Sequence, residues 1–277
     1  MKRKIIWGSC GLVLLILVCL IFFIASADSQ DDTLDYTYFV PSTEEESVPT
    51  DKLNGDKSIL AATETTIPEA IISEEQQNEP YVSPVDFEAL WEVNTDAYAW
   101  LYIPGTEISY PILQHPKDDS WYLKRNLQGK QDSNGTLFTE ASYNGKDFSD
   151  PLTIVYGHHT KNGSLFGTLQ EAYSSPERLA EHSKIVIYLP DSELHFEVFA
   201  AVPYDNRHIL YNYDFSNKHT FRRFFNEILS IRALEAVFAE DASVQSDDQV
   251  LLLSTCLIGN RNKRFIVCGK LSQTISQ

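Results

Sequence analysis

Leu251-Leu252-Leu253-Ser254-Thr255-Cys256 and, after a short connection, Arg264-Phe265-Ile266-Val267-Cys268-Gly269-Lys270-Leu271 are the two runs on which the fold turns. Both are apolar and of strand length, and Leu257–Lys263 between them carries Gly259, two Asn and two basic residues. The pattern predicts a hairpin-like strand pair with a mobile connection. Cys256 closes the first strand and Arg264 opens the second, so both side chains can sit at one end of the pair. A cation beside a thiol favours the thiolate, which is the nucleophilic form. The same residues also read as a buried cysteine ending a core strand, with a surface arginine nearby.

Working outward, Leu152-Thr153-Ile154-Val155-Tyr156-Gly157-His158-His159 is a second apolar strand, ending in glycine and two histidines. A cysteine and a distant histidine need only meet in space to form a nucleophile–base pair. Further motifs are Trp100-Leu101-Tyr102-Ile103-Pro104-Gly105-Thr106, Tyr110-Pro111-Ile112-Leu113-Gln114 and Gly163-Ser164-Leu165-Phe166-Gly167. Strand–Tyr-Gly-His, then Leu-Ser-Thr-Cys, then Arg-Phe-Ile-Val-x-Gly-Lys-Leu closely resembles the sortases, class B in particular, over about residues 84–272. Leu252 stands where the family motif usually begins with Thr, and Leu257 follows the cysteine where polar residues are common.

The resemblance implies a mainly β fold with helices: a closed eight-stranded sortase-type barrel, an N-terminal helix, and a long helix between strands 6 and 7. It implies a cysteine transpeptidase. Cys256 would attack a Thr carbonyl within the C-terminal sorting signal of a surface protein, giving a thioacyl intermediate that an amine of the cell wall resolves. His158 would be the general acid–base and Arg264 the oxyanion donor or peptide holder. Ser254, Thr255 and Tyr156 would line the substrate groove. The implied partners are surface or pilin proteins bearing a sorting signal, and an amine acceptor on a cell-wall cross-bridge or a pilin lysine. A pilin-polymerising sortase and a plain cysteine protease are the alternatives. His158 is favoured over His159 because the family histidine directly follows Tyr-Gly. His115, His182, His195, His208 and His219 are read as structural.

Charge and cysteine usage narrow the classes further. The chain of 277 residues has a formal net charge of −17. Residues 28–80 hold most of the acidity, and no basic cluster points to nucleic acid. Cys10 and Cys19 lie in an apolar N-terminal run, which leaves Cys256 and Cys268 in the folded part. Arg264 and Cys268 are four residues apart on one strand, roughly 13 Å. With Arg264 facing Cys256, a Cys256–Cys268 disulfide is not expected. No Cys/His spacing suggests zinc, and no cofactor is expected.

Three segments follow. Residues 1–27 hold Lys2, Arg3 and Lys4 and then the uncharged run Ile5–Ala25, long enough for a membrane anchor. The basic end and the following Asp28, Asp31 and Asp32 place the N-terminus in the cytoplasm and the catalytic domain outside, a single-pass cell-membrane protein. Ala25-Ser26-Ala27 would fit signal-peptide cleavage, but the run is long for a signal core. Residues 28–80 read as a flexible acidic linker, on the order of 40 Å end to end, with Asp35–Val40 its one apolar island. Residues 81–277 read as the catalytic domain. Within it, helices are expected at Val85–Val93 (Ser83 cap, Pro84 first), Leu165–Ala172, Pro176–His182 and Lys218–Phe238. Strands are expected around Ala99–Ile103, Ile108–Gln114, Thr136–Thr139, Leu152–Tyr156, Lys184–Leu189 and Leu194–Val202, besides the final pair.

Overall fold

The computed structural model describes residues 36–40 and 81–276. Nine strands form one sheet: β1 (Ala97–Tyr102), β2 (Ser109–Leu113), β3 (Leu137–Phe138), β4 (Leu152–Tyr156), β5 (Lys184–Tyr188), β6 (Ser192–Asp205), β7 (Val237–Phe238), β8 (Val250–Leu257) and β9 (Asn260–Ser276). Eight of them close a ring in the order β5-β1-β2-β3-β4-β8-β9-β6, because β5 pairs with both β1 and β6. Closure leaves no free edge. The two-residue β7 lies outside the ring and pairs with β6 at Ala200 and Ala201. Pairs β2–β3 and β4–β8 are parallel and the rest antiparallel.

Strand alternation sorts the side chains into two layers. Leu251, Leu253, Val155, Phe265 and Val267 face the barrel interior with Leu101, Ile112, Ile185 and Phe196. Their neighbours Val250, Leu252, Ile154, Ile266 and Cys268 face outward, against Phe221, Phe224, Phe225 and Ile228. These four belong to the helix Lys218–Leu229, which lies in the connection from β6 to β7.

Among the described residues five α-helices lie outside the barrel: α1 (Phe87–Val93), α2 (Leu169–Ala172), α3 (Pro176–Glu181), α4 (Ile209–Asn212) and α5 (Lys218–Leu229). Several boundaries differ from the sequence expectation. Helix α1 starts two residues late because the Asp86 carboxylate, not Ser83, caps it by accepting from Ala89 N at 2.9 Å. Trp91 is 39% exposed and anchors the helix by donating Nε1–H to the Ala97 carbonyl. Leu165 has φ of 52° and cannot be helical, so α2 begins only at Leu169. Helix α5 stops at Leu229 rather than Phe238. There the Ser230 hydroxyl and Arg232 guanidinium donate to the carbonyls of Asn226, Leu229 and Ile231, and Val237–Phe238 then becomes β7.

The connection expected to be mobile is instead the two-residue turn Ile258-Gly259, with Gly259 at φ 77°. Tyr36–Phe39, from the apolar island of the acidic stretch, forms a 3-10 helix docked on the barrel domain. Phe39 is buried there, and the Tyr36 ring centroid lies 5.3 Å from that of Tyr110. The remainder of residues 28–80 and the expected anchor Ile5–Ala25 lie outside the described residues.

The expected single-pass membrane localisation is corrected. Among the described residues no helix is long and apolar enough to cross a membrane. The longest, α5, has 12 residues, against the roughly 20 that a bilayer requires.

Phe224 tests the outer layer. It is fully buried, with ring centroids of Tyr213, Phe215 and Phe225 each 5.1 Å away. Phe224→Ala is expected to cost about 3–5 kcal/mol in urea denaturation. Leu234→Ala, at a fully exposed position, should stay within about 0.5 kcal/mol.

Candidate active site

On the outer face of β4, β8 and β9, Leu152, Ile154, Val250, Leu252, Ile266 and Cys268 are buried in the cluster that includes the α5 aromatics, whereas Tyr156, Cys256 and Arg264 are only partly buried. Cys256 and Arg264 are register partners there and share that face with Leu252 and Ile266. Arg264 Nη1 lies 3.9 Å from Cys256 Sγ and also donates to the carbonyls of Arg261 and Lys263, at 3.2 and 3.3 Å. Those carbonyls belong to a bulge. Cys256 pairs with Arg264 but Leu257 already pairs with Asn260, so Arg261-Asn262-Lys263 are looped out of the ladder. The bulge thus supplies the acceptors that hold the guanidinium beside the sulfur. The hairpin tip is fixed in turn by Gln170 of α2, whose Oε1 accepts from Ile258 N at 3.1 Å.

Cys256 is half-buried, whereas Cys268 has no exposed surface, and both are free thiols. Burial pushes the Cys268 thiol pKa far up. It packs among the α5 aromatics and takes no part in the site.

His158 comes from the neighbouring parallel strand. Tyr156 pairs with Ser254, and Gly157 N still donates to the Ser254 carbonyl at 3.1 Å, so the ladder brings His158 to the Cys256 end of β8. Gly157 is required by close packing, since a Cβ there would lie 2.5 Å from side-chain atoms of Leu137 and Phe166. His158 Nε2 is 2.8 Å from the Leu123 carbonyl oxygen. A carbonyl can only accept, so Nε2 carries the proton and the other ring nitrogen, Nδ1, is left for exchange. The following loop is tied back by Phe166 N donating to the His158 carbonyl and by a bridge between His159 and Leu165. His159 Nδ1 is buried without a hydrogen-bond partner.

The three expected groove residues separate. Ser254 is on the outer face, level with Tyr156 and two residues before Cys256. Thr255 is 2% exposed and belongs to the interior row between Leu253 and Leu257, opposite Phe265. Alternation therefore takes its side chain away from Cys256. The Tyr156 ring is flanked by Phe138 at 5.5 Å and His208 at 6.4 Å. Burial and then the Glu140 charge push its phenol pKa up.

Glu140 and His208 carried no signal in the sequence, being 68 residues apart, yet His208 Nε2 and Glu140 Oε1 are 2.9 Å apart beside Tyr156. Burial raises the Glu140 pKa, against the opposing pull of His208. Among the described residues no group of His, Cys, Asp or Glu is arranged to hold a metal ion.

A sortase domain family model matches residues 101–272. Sortase B of Listeria monocytogenes is 29% identical over 184 residues, covering 66% of this chain and 72% of that protein. A structure of Bacillus anthracis sortase B in complex with AAEK1 has a TM-score of 0.59 at 28% identity, covering 70% of this chain and 89% of the other. A Staphylococcus aureus sortase B–substrate complex has a TM-score of 0.59 at 26% identity, covering 70% and 87%. With the family model matched over residues 101–272 and an eight-stranded barrel like those structures, the chain belongs to the sortase family of cysteine transpeptidases, and within it to class B.

Proposed function

We propose that this transpeptidase cleaves a C-terminal sorting signal on surface proteins through a thioacyl link to Cys256 and passes the acyl group to an amine of the cell wall. The observation that carries the reading is the Cys256 thiol facing the Arg264 guanidinium at 3.9 Å, on the open end of the outer face. The Cys256 thiolate attacks the carbonyl carbon of the signal's Thr, and the oxygen takes up the negative charge. Arg264 donates to that oxyanion. His158, protonated at Nδ1, gives its proton to the departing amine as the C–N bond breaks. The acceptor amine then attacks the thioester, His158 takes up its proton, and the thiolate is released. Ser254 and Tyr156, on the same face, contact the peptide. Thr255 supports the strand from within.

Mass spectrometry of the adduct formed with a panel of sorting peptides tests the first half-reaction. A cell-wall cross-bridge amine, a lysine peptide and water then compete as acceptors in the second. Hydrolysis unchanged by added amine would replace the transferase reading with a protease. Cys256→Ala should abolish the adduct while the domain stays folded. In the native wild type, iodoacetamide should label Cys256 and leave Cys268 unlabelled until the chain is unfolded.

Arg264→Lys should be nearly as damaging as Arg264→Ala. Lysine keeps the charge but loses the planar donor fork that spans the bulge carbonyls and the sulfur. Loss of one oxyanion donor typically lowers turnover about 100- to 1000-fold. Full activity in the lysine variant would show that charge alone suffices.

His158→Asn should lose roughly 100- to 10,000-fold in transpeptidation, the usual worth of general acid–base catalysis. His159→Asn should be nearly silent. The reverse ranking of the two purified variants would move the acid–base role by one residue.

A further inference from the structure

We infer that His208, held by Glu140, is a positioning residue that fixes the wall of the peptide groove beside Tyr156; this rests on the groove reading above. On this reading the wall is the first part of the β6–β7 connection, where the His208 ring centroid lies 6.4 Å from that of Tyr156. His208 Nδ1 accepts from Tyr211 N at 3.1 Å and so caps α4. Its Nε2 donates across 68 residues to Glu140 Oε1 at 2.9 Å. Using one nitrogen as acceptor and the other as donor defines a neutral imidazole in a single tautomer. Glu140 is itself fixed, its carbonyl accepting from Tyr143 N and Asn144 N in the corner that follows β3.

Two observations show how much depends on this tie. Among the described residues it is the one hydrogen bond joining residues 206–216 to residues 139–156. A cavity of about 550 Å³ is lined by Tyr143 and Leu152 from one segment and by Tyr211, Tyr213 and Phe215 from the other. Ile209 and Phe215 anchor the far side of the connection in the outer layer. At the edge next to the site, His208 reaches across to Glu140, while Arg207 pairs with Asp205 at the end of β6 and with Glu227 of α5. That imidazole also packs against the Tyr156 ring at 6.4 Å and Tyr143 at 5.2 Å. Tyr156 is level with Ser254 and precedes Gly157-His158. The wall and the catalytic strand ends therefore meet at His208. Without the tie, the wall can separate from Tyr156 while Cys256 and Arg264, held by their own bulge, stay in place.

The test compares His208→Ala, Glu140→Ala and Glu140→Gln with wild type, using amide hydrogen exchange, peptide transpeptidation and iodoacetamide labelling of Cys256. His208 is exposed at the surface, so its alanine variant should fold. His208→Ala should speed exchange in residues 208–213. It should raise KM for the sorting peptide about tenfold or more, with kcat within a few fold and labelling unchanged. Glu140→Ala should match it, whereas Glu140→Gln keeps the acceptor and should remain close to wild type. Unchanged exchange in His208→Ala would overturn the tie. Faster exchange with an unchanged KM would overturn its role in the groove, as would kcat and labelling falling together. A wild-type protein that forms no adduct with any sorting peptide, while His208→Ala still speeds exchange, would refute the sorting-signal reading and leave the tie standing.

Discussion

The pairing of β9 with two partners at once is the constraint from which the rest of the molecule follows. β9 pairs with β6 from Ser192↔Ser276 to Asp205↔Lys263 and with β8 from Val250↔Lys270 to Leu257↔Asn260. This double ladder joins the two halves of the ring. Because side chains alternate from Arg264 to Cys268, it also decides which residues fill the barrel and which join the outer layer with α5. Phe265 and Val267 go inward, while Arg264, Ile266 and Cys268 go outward. A slip of one residue would put Arg264 in the core and Phe265 beside Cys256.

The site uses this register and one departure from it. The outer face is buried in the cluster with the α5 aromatics at Leu252, Ile266 and Cys268, and only partly buried where Cys256 and Arg264 face each other. The same row of side chains thus includes an inert thiol and an accessible one. The three-residue bulge then provides backbone carbonyls for the guanidinium, which would otherwise extend into solvent. Reactivity here depends on where the cover ends.

Legibility in the sequence tracked how local the determining physics was. The eight barrel strands were readable because each is an apolar run of strand length bounded by turn residues. Cys256 opposite Arg264 followed from their places at adjoining strand ends. Helix limits were less readable. The Asp86 cap, the positive φ of Leu165 and the carbonyl capping at Ser230 and Arg232 override periodicity, which extends further than the helices do. The Leu257–Lys263 connection seemed loose by composition, yet it is a tight turn followed by a bulge. Thr255 was drawn into the groove by its adjacency to Cys256, although alternation turns it inward. The Glu140–His208 contact and the Leu123 carbonyl on His158 were invisible, since each joins residues distant in the chain.

The parallel pairing of β4 with β8 also has a consequence for folding. Leu152 pairs with Val250 and Tyr156 with Ser254, so the two strands are almost a hundred residues apart in the chain. Loop closure over that distance is entropically costly and comes late in folding. During synthesis His158 leaves the ribosome well before Cys256 and Arg264. Cys256 and Arg264 lie on the last two strands, so their pairing requires both strands to be in the ring. A chain in which the last two strands are unpaired therefore has its thiol without the Arg264 guanidinium beside it. Catalytic competence thus doubles as a report that the barrel has closed.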